Sequence, residues 1–178
     1  MAAADLQKLL ESLEANSVPP APETLIEAIR QIAKMFGVRE DEVAIIEVVP
    51  SGKTLRFVVP EKLRAVGSIP LSSNTALAAR TVRERRSDIL NNFPVTRHAT
   101  VFEGVPLGRG AGESIQKIIS VPIMRGKTVV GVAQICRKGA SLTDAGADFT
   151  QRDLTELQTL NGSLEKLLAL CQTAEKEA

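Results

Sequence analysis

The sequence predicts an α+β fold: a central antiparallel β-sheet flanked by helices in three layers, with the N- and C-terminal helices packing together. Three observations carry that expectation. Two pairs of β-branched runs are each joined by a short polar link, the pattern of two hairpins. Amphipathic stretches with apolar residues at steps of three and four stand at both ends of the chain. Both faces of the second hairpin are apolar, so each needs a cover and the sheet becomes a middle layer.

Composition fits a folded chain. Its 178 residues are enough to bury about 70% of the unfolded surface in one domain. Hydrophobic residues at 44% and charged residues at 24% exclude a disordered chain, and no apolar run is long enough for a membrane span. Lys and Arg number 22 against 21 Asp and Glu, a net charge of +1, so no overall field attracts nucleic acid or anionic lipid. Trp and Tyr are absent, which removes the usual platforms for stacking single-stranded bases. Cys136 and Cys171 lack CxxC spacing, and no basic region precedes an apolar one at the N-terminus, so a reducing cytoplasm is expected. With His98 the single histidine, neither a metal nor a cofactor is expected.

The elements follow in order. Leu6, Leu9, Leu10 and Leu13 line one face of a first helix, and the prolines at 19, 20 and 22 end it in a stiff hinge, so residues 1–22 read as a helix and hinge. A second helix begins near Glu23, buries Leu25, Ile29, Ile32 and Phe36, and stops at Gly37. Val43 to Val49 and Thr54 to Val59 are strands joined by Pro50-Ser51-Gly52-Lys53. Ser72-Ser73-Asn74 offers capping oxygens to a helix running to about Arg86, and Asp88 to Asn91 is a short strand or extended link. Residues 92–113 are long and irregular, with room for a helical turn at Arg97 to Glu103.

The second hairpin joins Lys117–Ile123 to Thr128–Arg137. With its turn centred on Arg125-Gly126, Ser120 opposes Gly131 and Ile119 opposes Val132. That register puts Ile118, Ser120, Gly131, Ala133 and Ile135 on one face, and Ile119, Val121, Ile123, Val130 and Val132 on the other. The last helix opens at Thr150, whose hydroxyl and the Asp153 carboxylate form a capping box, with Phe149 and Leu154 placed as a staple. Leu157, Leu160, Leu164, Leu167 and Cys171 continue a seam too short for an independent coiled coil, suited to a helical bundle between two subunits. The main domain thus spans 23–171, followed by a tail at 172–178.

This order resembles a GAF domain. The run Ile69-Pro70-Leu71-Ser72-Ser73-Asn74 with Ala76 to Thr81 is similar to that family's loop-to-helix signature. Ile119-Ser120-Val121-Pro122-Ile123 with Val130 to Ile135 is similar to its paired central strands, and Phe149-Thr150 with Asp153 to its closing helix. The resemblance, covering about 23–170, implies a profilin-like three-layer fold. It also implies a small-molecule sensing module without catalytic activity, dimeric through its terminal helices and signalling through a partner protein. A ligand-free dimerisation or adaptor module and a small enzyme on the same scaffold are the alternatives.

The family's pocket lies over one sheet face, roofed by the segment corresponding to Asn92 to Gln116. Arg97 and His98, with Phe102 and Glu103 a turn later, offer a cation, a ring donor and an apolar wall to a ligand. Asn91 and Asn92 present amides, and Glu113 and Gln116 stand at the rim. The cyclic-nucleotide motif of some members is incomplete here. Lys138, Phe149 and Asp153 match it, whereas Arg137 and Leu154 replace its Asn and Glu; capping and a Lys138–Asp153 ion pair explain the matches structurally. Relatives that attach pyrroles or reduce methionine sulfoxide need cysteines near the pocket, which Cys136 and Cys171 do not supply. The arginines at 80, 83, 85 and 86 interleave with acids and read as a solvated helix.

Overall fold

The computed structural model describes residues 2–15, 22–65, 67–93 and 113–177. In chain order these form α1 (Ala2–Ala15), α2 (Pro22–Phe36), β1 (Val43–Val48), β2 (Thr54–Val59), α3 (Glu61–Arg64), β3 (Ser68–Pro70), α4 (Leu77–Glu84), β4 (Asp88–Leu90), β5 (Ser114–Arg125), β6 (Thr128–Gly139), α5 (Gln151–Thr159) and α6 (Asn161–Glu177). The six strands make one antiparallel sheet in the order β3-β2-β1-β6-β5-β4. The twelve-residue strands β5 and β6 form its backbone. Three short elements have no periodicity for a sequence to display: α3, β3 and the 3-10 turn Glu40–Glu42.

Helices α1, α2, α5 and α6 cover one side, here called the inner face. Leu6, Leu10, Ile29, Ile32, Leu157, Leu160, Leu164 and Leu167 bury there against Val43, Ile45, Ile119, Val121, Ala133 and Ile135. The C-terminal leucine seam is therefore packed inside one chain. The outer face carries α3 and α4, under which Ala44, Ile46, Leu55, Phe57 and Val132 pack with Leu63, Ala78 and Ala79. Cover on both sides is what two apolar sheet faces demand.

The register of the long hairpin differs from the sequence expectation. Ser120 opposes Gln134 and Ile119 opposes Ile135, because the two-residue turn is Gly126-Lys127 and a bulge between Ile123 and Met124 adds a further offset. Gly131, Ala133 and Ile135 therefore join Ile119, Val121 and Ile123 on the inner face, while Val132, Gln134 and Cys136 join Ile118 and Ser120 outside. The small residue at 131 has a clear use: a Cβ there would stand 2.6 Å from Leu168 Cδ1 and 2.5 Å from the Ile46 carbonyl oxygen, so glycine lets α6 approach the sheet.

The last helix is also two helices. Leu160 ends α5 with its amide bonded to Leu157, and Asn161 then bonds both the amide and the carbonyl of Met124, at 2.7 and 2.9 Å. Beyond the short β4, the edge of β5 is thus closed by the Asn161 side chain and by Pro122, which has no amide donor to offer. The capping box stands as expected, with Thr150 Oγ1 accepting from the Asp153 amide and the Asp153 carboxylate accepting from the Thr150 amide.

Candidate functional site

The strand registers assemble one transverse row on the outer face: Ala44, Gln134, Ser120 and Asp88 lie side by side across β1, β6, β5 and β4. Helix α4 crosses above it and lowers Thr81 onto Ser120, the two hydroxyl oxygens 2.7 Å apart. Gln134 Nε2 donates to Ser120 Oγ at 3.1 Å. All three side chains are almost fully buried. Their mutual bonds let polar groups sit in the middle of an apolar sheet. Asp88 closes the row in ion pairs with Arg80 at 3.2 Å and Arg86 at 3.3 Å.

On one side of this row lies the apolar core beneath α3 and α4; on the other lies a separate cluster of Leu77, Phe93, Ile115, Ile118 and Cys136, with Leu90 against it. The cluster sits where the chain leaves β4 at Phe93 and returns to β5 at Glu113. It is a dry floor. The Cys136 thiol within it is pushed well above the ordinary cysteine range, chiefly by burial, so it stays protonated and unreactive.

Arg97, His98, Phe102 and Glu103 lie outside the described residues, as does the helical turn expected there. Of the four described candidates, three have bonds within the protein. Asn91 accepts from the Phe149 amide at 2.8 Å and donates to its carbonyl at 2.9 Å, pairing the end of β4 with the entry to α5 as a strand would. Glu113 pairs with Arg39 at 2.9 Å. Gln116, 5% exposed, donates to Ser114 Oγ and to the Gly139 carbonyl. Asn92 is exposed.

Lys138 does not pair with Asp153. Its ammonium bonds the Asp41 carbonyl at 3.0 Å and stands 3.6 Å from the Asp41 carboxylate. Asp153 is occupied by the cap, and Arg137 stacks on the Phe149 ring at 4.7 Å. Glu42, also missed from the sequence, accepts from the amides of Arg39 and Lys138 and holds the 3-10 turn to β6. Thr81, Ser120 and Gln134 gave one faint signal in advance, polar residues inside strongly apolar segments. Among the described residues no group of three or more His, Cys, Asp or Glu is placed to hold a metal ion, and no helix is long and apolar enough to cross a membrane.

A family model described as GAF domain matches residues 21–168. Among solved structures, the GAF domain of an Acinetobacter phosphoenolpyruvate-protein phosphotransferase is similar over 99% of this chain and 98% of its own, at 17% identity and a TM-score of 0.67. The corresponding domain from Coxiella burnetii is similar over 98% of both chains at 13% identity and a TM-score of 0.62. The free methionine-R-sulfoxide reductase of Neisseria meningitidis, solved in complex with its substrate, is similar over 97% of this chain and 93% of its own, at 17% identity and a TM-score of 0.59. At these identities the solved structures establish the fold alone. No curated protein matches significantly.

Proposed function

This chain belongs to the GAF domain family, and on that premise we propose that it is a regulatory module that binds a small organic molecule on the outer face of its sheet. The observation that carries the reading is the apolar cluster of Leu77, Phe93, Ile115, Ile118 and Cys136, set apart from the main cores and lying where the 94–112 segment departs and returns. A mostly apolar floor with few polar groups is the ordinary make-up of a small-molecule site. Arg97 and His98 are its proposed polar contacts from that segment. The Neisseria relative, solved with its substrate, gives precedent for a small molecule on this fold. The proposed role is binding without catalysis; burial pushes the Cys136 thiol up, which disfavours it as a nucleophile. Its setting is the cytoplasm, in keeping with two free cysteines, and its output passes as a homodimer to a partner protein. Because the leucines of α5 and α6 are buried within one chain, the dimer joins other surfaces of the terminal helices; light scattering behind a sizing column reads its mass.

A second reading, a ligand-free adaptor, draws on the intramolecular bonds of Asn91, Glu113 and Gln116. A metabolite screen by thermal shift separates the two. A ligand at 100 times its dissociation constant adds about 2.7 kcal/mol, or roughly 5–10 °C in Tm for a chain of this size. Such a shift supports the sensor; a flat response across the library overturns it in favour of the adaptor.

A further inference from the structure

Arg137 is half-buried on β6, two residues beyond Ile135 at the end of the inner face. A guanidinium so placed is ordinarily matched to a carboxylate, yet Arg137 forms no ion pair among the described residues. Lys117, opposite it on β5, takes Asp148 at 2.7 Å, and Lys138 takes Asp41. Two softer contacts hold Arg137 instead. Its guanidinium carbon lies 4.7 Å from the centre of the Phe149 ring, and its Nη2 donates to the Phe36 carbonyl at 3.2 Å. Its Nε is buried and has no acceptor.

These contacts join parts of the fold that lie far apart in the chain. Phe36 is the last residue of α2, and its carbonyl is among those that a helix end leaves unpaired. A cation donating to it is favoured both as a hydrogen bond and as a charge at the helix C-terminus. Phe149 immediately precedes Thr150, the cap of α5. Its backbone is gripped by Asn91, at 2.8 and 2.9 Å. Asn91 lies between Leu90 and Phe93, both of which pack in the apolar cluster of the outer face. One path therefore runs from that cluster through Asn91, Phe149 and Arg137 to the end of α2 on the inner face.

Arg137 also has a second place to go. Its long side chain is partly exposed, so swung outward it gives Nε water as an acceptor while giving up the ring and the Phe36 carbonyl. In the docked arrangement the unpaired N–H is costly, and the ring contact returns a modest gain of similar size. Neither arrangement then dominates by far, and a small displacement of the ring tips the balance. We propose that Arg137 is a conformational switch between the two sides of the sheet. Docked, it ties the entry of α5 to the C-terminus of α2; released, it frees one from the other; and the grip of Asn91 on Phe149 sets which arrangement holds. The switch itself needs no bound molecule, and its use as the output of the outer-face site rests on the small-molecule reading above.

The test uses the full chain with nothing added. Amide hydrogen exchange followed by NMR reads the end of α2, from Ala33 to Val38, in the parent, Asn91→Ala, Arg137→Leu and the double variant. Asn91→Ala is expected to speed exchange there about fivefold, the equivalent of one hydrogen bond, although the bonds of Asn91 go to Phe149. Arg137→Leu is expected to give the same increase, and Asn91→Ala to add nothing to it. Gly131→Ala, a destabilising change away from this path, is expected to leave those rates in place, which separates local release from a general loss of stability. The Arg137 Nε–H resonance reads the switch in Asn91→Ala alone: the Phe149 ring displaces it upfield in the parent, and it returns to the free-arginine position on release. Unchanged exchange at the end of α2 in Asn91→Ala, increases that multiply in the double variant, or an Nε–H signal that stays displaced overturns the switch and leaves the small-molecule reading to its metabolite screen. A flat metabolite screen overturns that reading, and with it the output role of Arg137, whatever the exchange rates.

Discussion

Replacing Gly131 with alanine tests the seating of α6 on the inner face. The added methyl carbon falls 2.5 Å from the Ile46 carbonyl oxygen and 2.6 Å from Leu168 Cδ1. Neither neighbour has an easy retreat. Ile46 is held in β1 between β2 and β6, and Leu168 is fully buried among the inner-face side chains. Overpacking of this kind costs about 2–3 kcal/mol, which in a chain of this length lowers Tm by roughly 5–10 °C. Thermal and urea denaturation followed by circular dichroism measure it. Gly162→Ala is the control: nothing lies within 4 Å of its added Cβ, and in the helix the change is neutral or stabilising by up to about 1 kcal/mol. Leu168→Ala in the Gly131→Ala background relieves one of the two clashes, so the double variant is more stable than the sum of the single losses. A Gly131→Ala protein within about 0.5 kcal/mol of the parent would refute the close packing of α6 on β6.

Three further outcomes are expected. Asn91→Ala loses both bonds to the Phe149 backbone and destabilises the ligand-free chain by about 1–3 kcal/mol; an unchanged urea midpoint would show that Asn91 is not structural. Thr150→Ala removes the cap of α5 and costs about 1 kcal/mol, whereas Thr150→Ser retains most of it. Because burial raises the Cys136 thiol above its unfolded value of about 8.5, the unfolded chain releases that proton first. Its contribution is therefore complete below that pH and declines as pH rises beyond it. Urea melts from pH 7 to 10 should show a steeper loss for the parent than for Cys136→Ala, and native alkylation should reach Cys171 before Cys136.

Local chemistry was the legible part of this sequence. The β1–β2 hairpin could be read because Val43–Val49 and Thr54–Val59 are β-branched around Pro50-Ser51-Gly52-Lys53. The α5 cap could be read because Thr150 and Asp153 complete it within three residues. What depends on distant partners stayed hidden. The heptad spacing of Leu157 to Leu167 runs through Leu160 without marking the break, which is fixed by Asn161 reaching β5. The hairpin register depended on a bulge that no turn residue announces, and with the shifted turn it made a three-residue difference, an odd number that moved Gly131 and Gln134 to opposite faces from those expected. Asn91 read as a ligand contact because its amide is versatile and its partner, Phe149, is 58 residues away. Ser120 and Gln134 drew little notice because only the sheet and α4 together turn them into a row.

The most direct test of the outer-face site is a methyl-detected NMR titration of the Ile-, Leu- and Val-labelled chain with the molecule that gives the largest shift in the metabolite screen. Binding over the cluster shifts the methyl signals of Ile115, Ile118 and Leu77 and leaves those of Ile119, Val121 and Leu164 in place. Shifts centred on Ile119, Val121 and Leu164, or no saturable shift anywhere, would contradict a small-molecule site on the outer face of the sheet.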